Sequence, residues 1–212
     1  MVTILLALTG ASVHHGLVDA DQVAALRILL GPSSWLQETR TFARALRRSV
    51  SRTSSGLLIV GTPEEEPWHL AAHLDQESRL AGIPGLAPTL VRWSPPPGAP
   101  LHLRVGLARL EEARRGETLF VVSPQAAPEP LLERVHDARR VGATIMAMDA
   151  GDPDLDGMAH ECLTVAPGLA PVSFDAAEHL VSVAAGEPAP PRGGLRTRLA
   201  QALDAISGPR PD

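Results

Sequence analysis

The sequence GETLFVVSPQAAPEPLLERVHDARRVGATIMAMDAGDPDLDGMAHECLTVAPG, residues 116–168, decides the fold of this chain. Its hydrophobic pattern predicts a strand, a loop, a helix, a second strand, a short helix and a third strand. Strands that alternate with helices favour a mainly parallel sheet covered by helices on both faces. The first strand enters a loop, residues 123–130, at the place where such a sheet normally binds its ligand. Proline and alanine make up most of that loop, so the stretch predicts an architecture more clearly than a reaction.

The segments on either side continue the alternation of helices and strands. Apolar residues at helical spacing predict a long helix over residues 35–50 and a later one over residues 173–185. The other predicted elements are strands at 57–60 and 89–93, a helix that begins near Pro67, and a helix over 101–115. We therefore predict a three-layer α/β/α sandwich with a mainly parallel, doubly wound sheet of the flavodoxin-like kind.

Composition divides the chain into four parts. Residues 1–34 are predicted to be an N-terminal segment with a helix that Asp19 caps, and residues 35–186 the α/β domain. Residues 187–194, rich in proline and glycine, are predicted to be a linker. Residues 195–212 are expected to form a C-terminal helix and tail, which can dock on its own domain or on a neighbouring chain.

Charge and length exclude several classes of function. The 212 residues are 44% hydrophobic and carry a formal net charge of −5, so nucleic acid is not expected as a partner. The apolar start, residues 2–8, is too short to span a bilayer and lacks the basic region of a signal peptide. We expect a cytoplasmic protein that does not insert into a membrane.

A single cysteine, Cys162, lies in the alternating run ECLTV. One cysteine excludes an internal disulfide and most sulfur-ligated metal sites. We interpret it as a buried, inert thiol rather than a nucleophile.

Three consecutive carboxylates, Glu64, Glu65 and Glu66, follow the strand at residues 57–60 and precede a helix. Acidic residues in a first turn complement the helix dipole, so capping explains them without a ligand. They also repel phosphate at a junction where parallel sheets usually bind anions. The sequence therefore disfavours a phosphate ligand at this junction.

Several motifs resemble the sugar isomerase (SIS) domain family, especially the phosphoheptose isomerase type. Residues 118–165 resemble the second half of such a domain, in which a strand enters a Ser-x-Ser-Gly-x-Ser loop, followed by a helix, Gly-Ala-Thr and a strand. VGATIMAMDAG and MAHECLTVAPG fit that pattern. WHLAAHL, residues 68–74, resembles the His-Phe-Ala-Ala-Glu-Leu helix after the family's first glycine loop. The resemblance covers roughly residues 35–185 and implies the family's α/β fold.

The resemblance also shows which ligand-binding positions have changed. Ser123 matches the first serine of the sugar-phosphate loop, while Gln125, Ala126 and Pro128 replace the second serine, the glycine and the third serine. Proline has no amide hydrogen and alanine no hydroxyl, so this loop loses phosphate-binding donors. The remaining ligand contacts are expected from Ser123 and Gln125. In the first loop, Thr62 and Glu65 are the corresponding candidates.

The family's acid/base residues are altered as well. His73 lies where the family has a proton-carrying glutamate, and the family's later histidine falls at Ala184, while His179 matches an earlier histidine of that helix. Histidine can carry protons near neutral pH, so His73 and His179 are the candidate catalytic residues.

His69 and His73 stand four residues apart and so face the same side of a helix. The resemblance implies a zinc site for some members at the positions of these two residues. Zinc needs at least a third protein ligand, and Asp75, His179 or the carboxylates at 64–66 could supply one. We expect no cofactor and retain zinc as the alternative.

Two functions follow from the resemblance. The first is a catalytically degenerate SIS-like domain that acts as a metabolite-binding, regulatory or assembly module. The alternative is a divergent phosphosugar isomerase, of the phosphoheptose or aldose-ketose kind, that uses His73 with or without a metal. We expect a homodimer or higher homo-oligomer, a small-molecule or sugar-phosphate ligand, and room for a protein partner.

Overall fold

A parallel sheet of five strands organises the protein, a computed structural model of which describes residues 34–52, 56–100, 103–167 and 172–187. The strands are β1 (Leu57–Val60), β2 (Pro88–Val91), β3 (Thr118–Ser123), β4 (Thr144–Asp149) and β5 (Glu161–Thr164). Their order across the sheet is β2-β1-β3-β4-β5, the flavodoxin-like order. The predicted N-terminal helix, most of the linker and the C-terminal helix lie outside the described residues.

Helices cover both faces of this sheet. They are α1 (Ser34–Arg52), α2 (Trp68–Ala81), α3 (Ala108–Glu111), α4 (Glu129–Arg140), α5 (Pro153–Met158) and α6 (Phe174–Gly186), with a 3-10 turn at Pro84–Leu86. One core joins α1, α2 and α6 to one face, and a second joins α3, α4 and α5 to the other. The predicted three-layer α/β/α fold with a parallel sheet is therefore confirmed.

Strand β3 shows why its sequence is apolar throughout. Phe120 and Val122 pack into the core beneath α1, α2 and α6, while Leu119 and Val121 pack into the opposite core. Parallel strands covered on both faces need apolar residues at successive positions. The ring of Phe120 meets Phe42 of α1 at a centroid distance of 5.4 Å, which anchors the long helix to the centre of the sheet.

The connections of β1 and β3 locate the crevice of the sheet. The two strands are neighbours in parallel register, with Val60 opposite Val121. The chain leaves β1 for α2 on one face and leaves β3 for α4 on the other. In open parallel sheets this divergence opens a crevice at the carboxyl ends of the strands. Any site of the usual kind therefore lies near the loops after β1 and β3.

The predicted helix over residues 101–115 is wrong in extent, since the helix in the described part of that segment, α3, spans only Ala108–Glu111. The amide of Arg92 donates to the carbonyl of Val105 at 2.8 Å, and Arg92 pairs with Gly106 in a parallel bridge. The backbone before α3 thus continues the sheet edge, where the sequence predicted a helix. Within the described ranges, no helix is both long enough and apolar enough to cross a membrane.

Candidate functional site

The loop after β1 is folded tightly on itself. The amide of Thr62 donates to the carbonyl of Glu65 at 3.0 Å, and the amide of Glu65 donates to the Thr62 hydroxyl at 3.2 Å. The indole of Trp93 donates to the carbonyl of Gly61 at 2.8 Å. Thr62 is buried and Glu65 is exposed, so these two predicted ligand-binding residues face different surroundings.

In the loop after β3, hydrogen-bond donors are likewise bonded to acceptors within the protein. The buried Ser123 hydroxyl donates to the carbonyl of Gln125 at 2.7 Å. The amide of Ala127 donates to the carboxylate of Asp152 at 2.7 Å. The prolines at 124 and 128 have no amide hydrogen to offer. The hydroxyl of the serine that matches the family's phosphate loop is therefore bonded within the loop, and Gln125 lies exposed beside it.

Asp152 connects two loops at this edge of the sheet. Its other carboxylate oxygen caps α5 by accepting from the amides of Asp154 at 3.0 Å and Leu155 at 3.3 Å. Asp152 is buried, and capping is a usual role for aspartate at a helix start. Asp152 was not predicted from the sequence, although Asp-Pro before a short helix is a recognisable start signal.

The two predicted catalytic histidines meet where α2 packs against α6. The rings of His73 and His179 lie edge to face, with centroids 4.3 Å apart. The pKa of His179 is lowered to about 4, mainly by burial and secondarily by the proximity of His73 and His69, which together outweigh the opposite effect of Asp175. Burial, and secondarily His69, also lowers the pKa of His73. Both imidazoles are accordingly neutral near pH 7.

Glu178, beside His179 on α6, is a carboxylate that sequence reasoning missed. Only 6% of its surface is exposed, and it accepts a hydrogen bond from the backbone amide of Leu70. Burial is the main cause that raises its pKa to about 8, and the negative charges of Asp175 and Glu65 add to it. A lone carboxylate within the otherwise apolar AAEHLVSVAA segment was the available signal.

A cavity of about 490 Å³ lies where the loop after β1 meets the first turns of α2 and α6. It is lined by Glu65, Glu66, Trp68, His69, Asp175 and Glu178. Of the predicted site residues, Glu65 and His69 thus reach the cavity. The described lining does not include Thr62, Ser123, Gln125, His73 or His179.

Trp68 at the start of α2 contacts an arginine, Arg92, that is ion-paired with Glu66. The Arg92 guanidinium lies over the Trp68 ring, 4.2 Å from its centroid. Its Nε and Nη2 donate to the same carboxylate oxygen of Glu66, at 2.9 and 2.7 Å. Arg92 therefore fixes Trp68 and Glu66 together on one wall of the cavity. These contacts join the segment after β2 to the start of α2.

The potential metal ligands that lie close together are outside this cavity. Among the described residues, the set of three ligand atoms within 4.8 Å of one another comes from Asp149, Asp156 and Cys162. His69 and His73 belong to no such set there, so the zinc site remains a prediction.

Cys162 is exposed, which corrects the expectation that it is buried. It lies on β5, an edge strand in which only Leu163 is buried. Its Sγ lies 2.9 Å from a carboxylate oxygen of Asp149 and 2.7 Å from one of Asp156. Burial and these two carboxylates strongly raise the pKa of the thiol. The expected lack of nucleophilic character therefore has an electrostatic cause.

No protein-family model matches the sequence, and no curated protein is similar to it. Among solved structures, a protein of Silicibacter pomeroyi DSS-3 assigned as a phosphosugar isomerase aligns at 18% identity and TM-score 0.47; the match covers 84% of this chain and 50% of that one. The sugar isomerase domain of an RpiR transcription factor from Sphaerobacter thermophilus aligns at 17% identity and TM-score 0.47. That match covers 88% of this chain and 93% of that one.

The Vibrio vulnificus NanR protein, complexed with ManNAc-6P, aligns at 14% identity and TM-score 0.44, covering 78% of this chain and 60% of that one. This chain spans half the length of the Silicibacter protein.

Proposed function

We propose that this protein is a catalytically degenerate SIS-like module that binds a small molecule in a regulatory or assembly role and does not isomerise sugar phosphates. One observation carries the proposal: the groups of the loop after β3 that could bind an anion already donate hydrogen bonds to acceptors within the protein. The Ser123 hydroxyl is bonded to the carbonyl of Gln125, and the Ala127 amide to Asp152. A phosphate at this loop would have to displace both bonds, and two prolines offer no replacement amide.

The charge of the neighbouring cavity supports the same conclusion. Four carboxylates, Glu65, Glu66, Asp175 and Glu178, line it. Of these, Glu66 is neutralised by Arg92. Glu178 keeps its proton up to a pKa of about 8, so near neutral pH a phosphate dianion would be repelled by Glu65 and Asp175. This repulsion is weakly screened where solvent is partly excluded. Binding of a phosphorylated sugar is therefore disfavoured at both loops.

The contact between His73 and His179 favours a second candidate, the divergent isomerase. Proton transfer between sugar carbons needs a base whose pKa lies near the working pH. Burial lowers the pKa of both histidines, that of His179 to about 4, which makes them weak bases at neutral pH. The described cavity lining also leaves out His73. The pair suits a packing contact better than a proton carrier.

Turnover and thermal-shift measurements with sugar phosphates test the proposed function. We expect no isomerisation of sedoheptulose 7-phosphate or of aldose and ketose phosphates above background, and no rise in melting temperature with these ligands. Turnover abolished by His73→Ala and retained in His136→Ala, an exposed histidine on α4, would establish the isomerase instead. A large rise in melting temperature with one phosphorylated sugar would contradict the proposed loss of phosphate binding.

A further inference from the structure

The cavity beside α2 and α6 has an excess of negative charge that the described residues do not neutralise. Arg92 lies against this wall, and it is committed to Glu66 and to the ring of Trp68. Within the described part of the chain, no ion pair includes Glu65, Asp175 or Glu178. The remaining lining residue that can carry positive charge is His69.

Glu178 is the innermost of these carboxylates by burial. With 6% of its surface exposed, it accepts a bond from the amide of Leu70, and the described residues supply no cation to it. A buried carboxylate is costly unless a positive charge lies close by. Asp175 and Glu65 act on the same carboxyl as like charges. Glu178 therefore ionises only near pH 8, and a cation in the cavity would favour its ionised form while offsetting the charges of Asp175 and Glu65.

Trp68 provides a second, chemically different feature of the same wall. Its side chain keeps 40% of its surface exposed while lining the cavity. Aromatic faces attract cations within about 6 Å, and Arg92 at 4.2 Å already uses this property of the ring. A volume of about 490 Å³ falls in the range of small-molecule sites. Carboxylates beside an exposed tryptophan are the groups that recognise organic ammonium ions.

We propose that this cavity binds a small organic cation, an amine or quaternary ammonium compound without a phosphate, through Glu178, Asp175, Glu65 and the ring of Trp68. The cation site depends on the proposed function, because it names the ligand class of the same binding module. The ligand pairs with the carboxylates while its methylene or methyl groups contact Trp68. Glu66 stays bound to Arg92 and holds the tryptophan in place.

Calorimetric titration of the full chain with choline and with putrescine at pH 8.5 and low salt tests this site. The neutral analogues 3,3-dimethylbutanol and 1,4-butanediol match the two cations in shape. We expect at least one cation to bind about tenfold or more tightly than its analogue. Glu178→Gln and Asp175→Asn should each weaken that binding by about tenfold, whereas Glu38→Gln, an exposed carboxylate on α1, should leave it unchanged.

Absence of binding by both cations up to about 10 mM would overturn the cation site, as would equal affinity for a cation and its neutral analogue. Unchanged affinity in Glu178→Gln and Asp175→Asn would also overturn it. If Glu178→Gln does not fold by circular dichroism, Asp175→Asn and Trp68→Leu decide, because both side chains are exposed. Sugar-phosphate turnover, measured separately, would refute the proposed function whatever the amines do.

Discussion

His73 of α2 and His179 of α6 lie edge to face with ring centroids 4.3 Å apart, and burial lowers the pKa of both. For His179 the folded-state pKa of about 4 lies below the ordinary value of 6.5. Below pH 6.5 the unfolded chain therefore takes up a proton that the folded chain does not. The contribution of His179 to stability is complete above pH 6.5 and is lost as the pH falls towards 4.

We predict that the free energy of unfolding falls by up to about 1.4 kcal/mol per pH unit from this group between pH 6.5 and 4.5. Urea denaturation of wild type and His179→Gln over this interval isolates the contribution, since other groups titrate in both proteins. His136→Gln, on an exposed position of α4, serves as the control and should follow wild type. Identical pH slopes for wild type and His179→Gln would refute the prediction.

Glu178 has the opposite pH dependence. Its pKa of about 8 in the folded protein exceeds the ordinary 4.5, so the folded state retains a proton that the unfolded state loses. Stability should fall through this group as the pH rises from 4.5 to 8, by up to about 1.4 kcal/mol per pH unit. Glu178→Gln keeps an acceptor for the Leu70 amide and should unfold with less pH dependence. An equal fall in stability from pH 4.5 to 8 in wild type and Glu178→Gln, with Glu38→Gln matching wild type, would contradict this prediction.

Gly61 allows the close turn after β1. A Cβ at this position would lie 2.0 Å from the carbonyl oxygen of Glu65 and 2.6 Å from Cδ of Pro67. We predict that Gly61→Ala destabilises the protein by about 1–3 kcal/mol in urea unfolding. Gly157 in α5 has open space around its Cβ position, so Gly157→Ala should be neutral or stabilise by up to about 1 kcal/mol. Equal stability of the two variants would be inconsistent with the tight turn.

Cys162 combines surface exposure with a raised thiol pKa caused by burial of the sulfur, Asp149 and Asp156. Alkylation by iodoacetamide at pH 8 should therefore run at least about tenfold slower than for a small thiol, because the thiolate is the nucleophile. Asp156→Asn removes one negative charge and should accelerate the reaction. Asp154→Asn, also on α5 but without contact to the sulfur in the described structure, should not. Rapid alkylation of the wild type would contradict this electrostatic account.

The fold was predictable because its deciding stretch combines two independent signals. Buried parallel strands need continuous apolar runs, and the helices between them carry their own periodicity. The contact between His73 and His179 was indicated only in part. The resemblance identified both residues as catalytic candidates, while spacing along the chain contains no information on how α2 meets α6.

The parts of the site that escaped prediction depend on contacts between distant segments. Glu178 becomes unusual because folding buries its carboxyl and brings Asp175 and Glu65 close to it. The backbone before α3 pairs with Arg92 instead of forming the predicted helix. Periodicity reports the buried face of one element and says nothing about its neighbours.

Asp152 has a consequence for any attempt to restore a sugar-phosphate site by loop transplantation. Its two carboxylate oxygens serve Ala127 in one loop and the start of α5 in another. A serine- and glycine-rich segment grafted over residues 124–128 keeps a backbone amide at 127, but if that amide turns to a phosphate the first bond is lost and a buried acceptor is left without its donor. The two loops would have to be exchanged together. Replacement of residues 124–128 alone should therefore lower the stability of the protein without restoring a functional site.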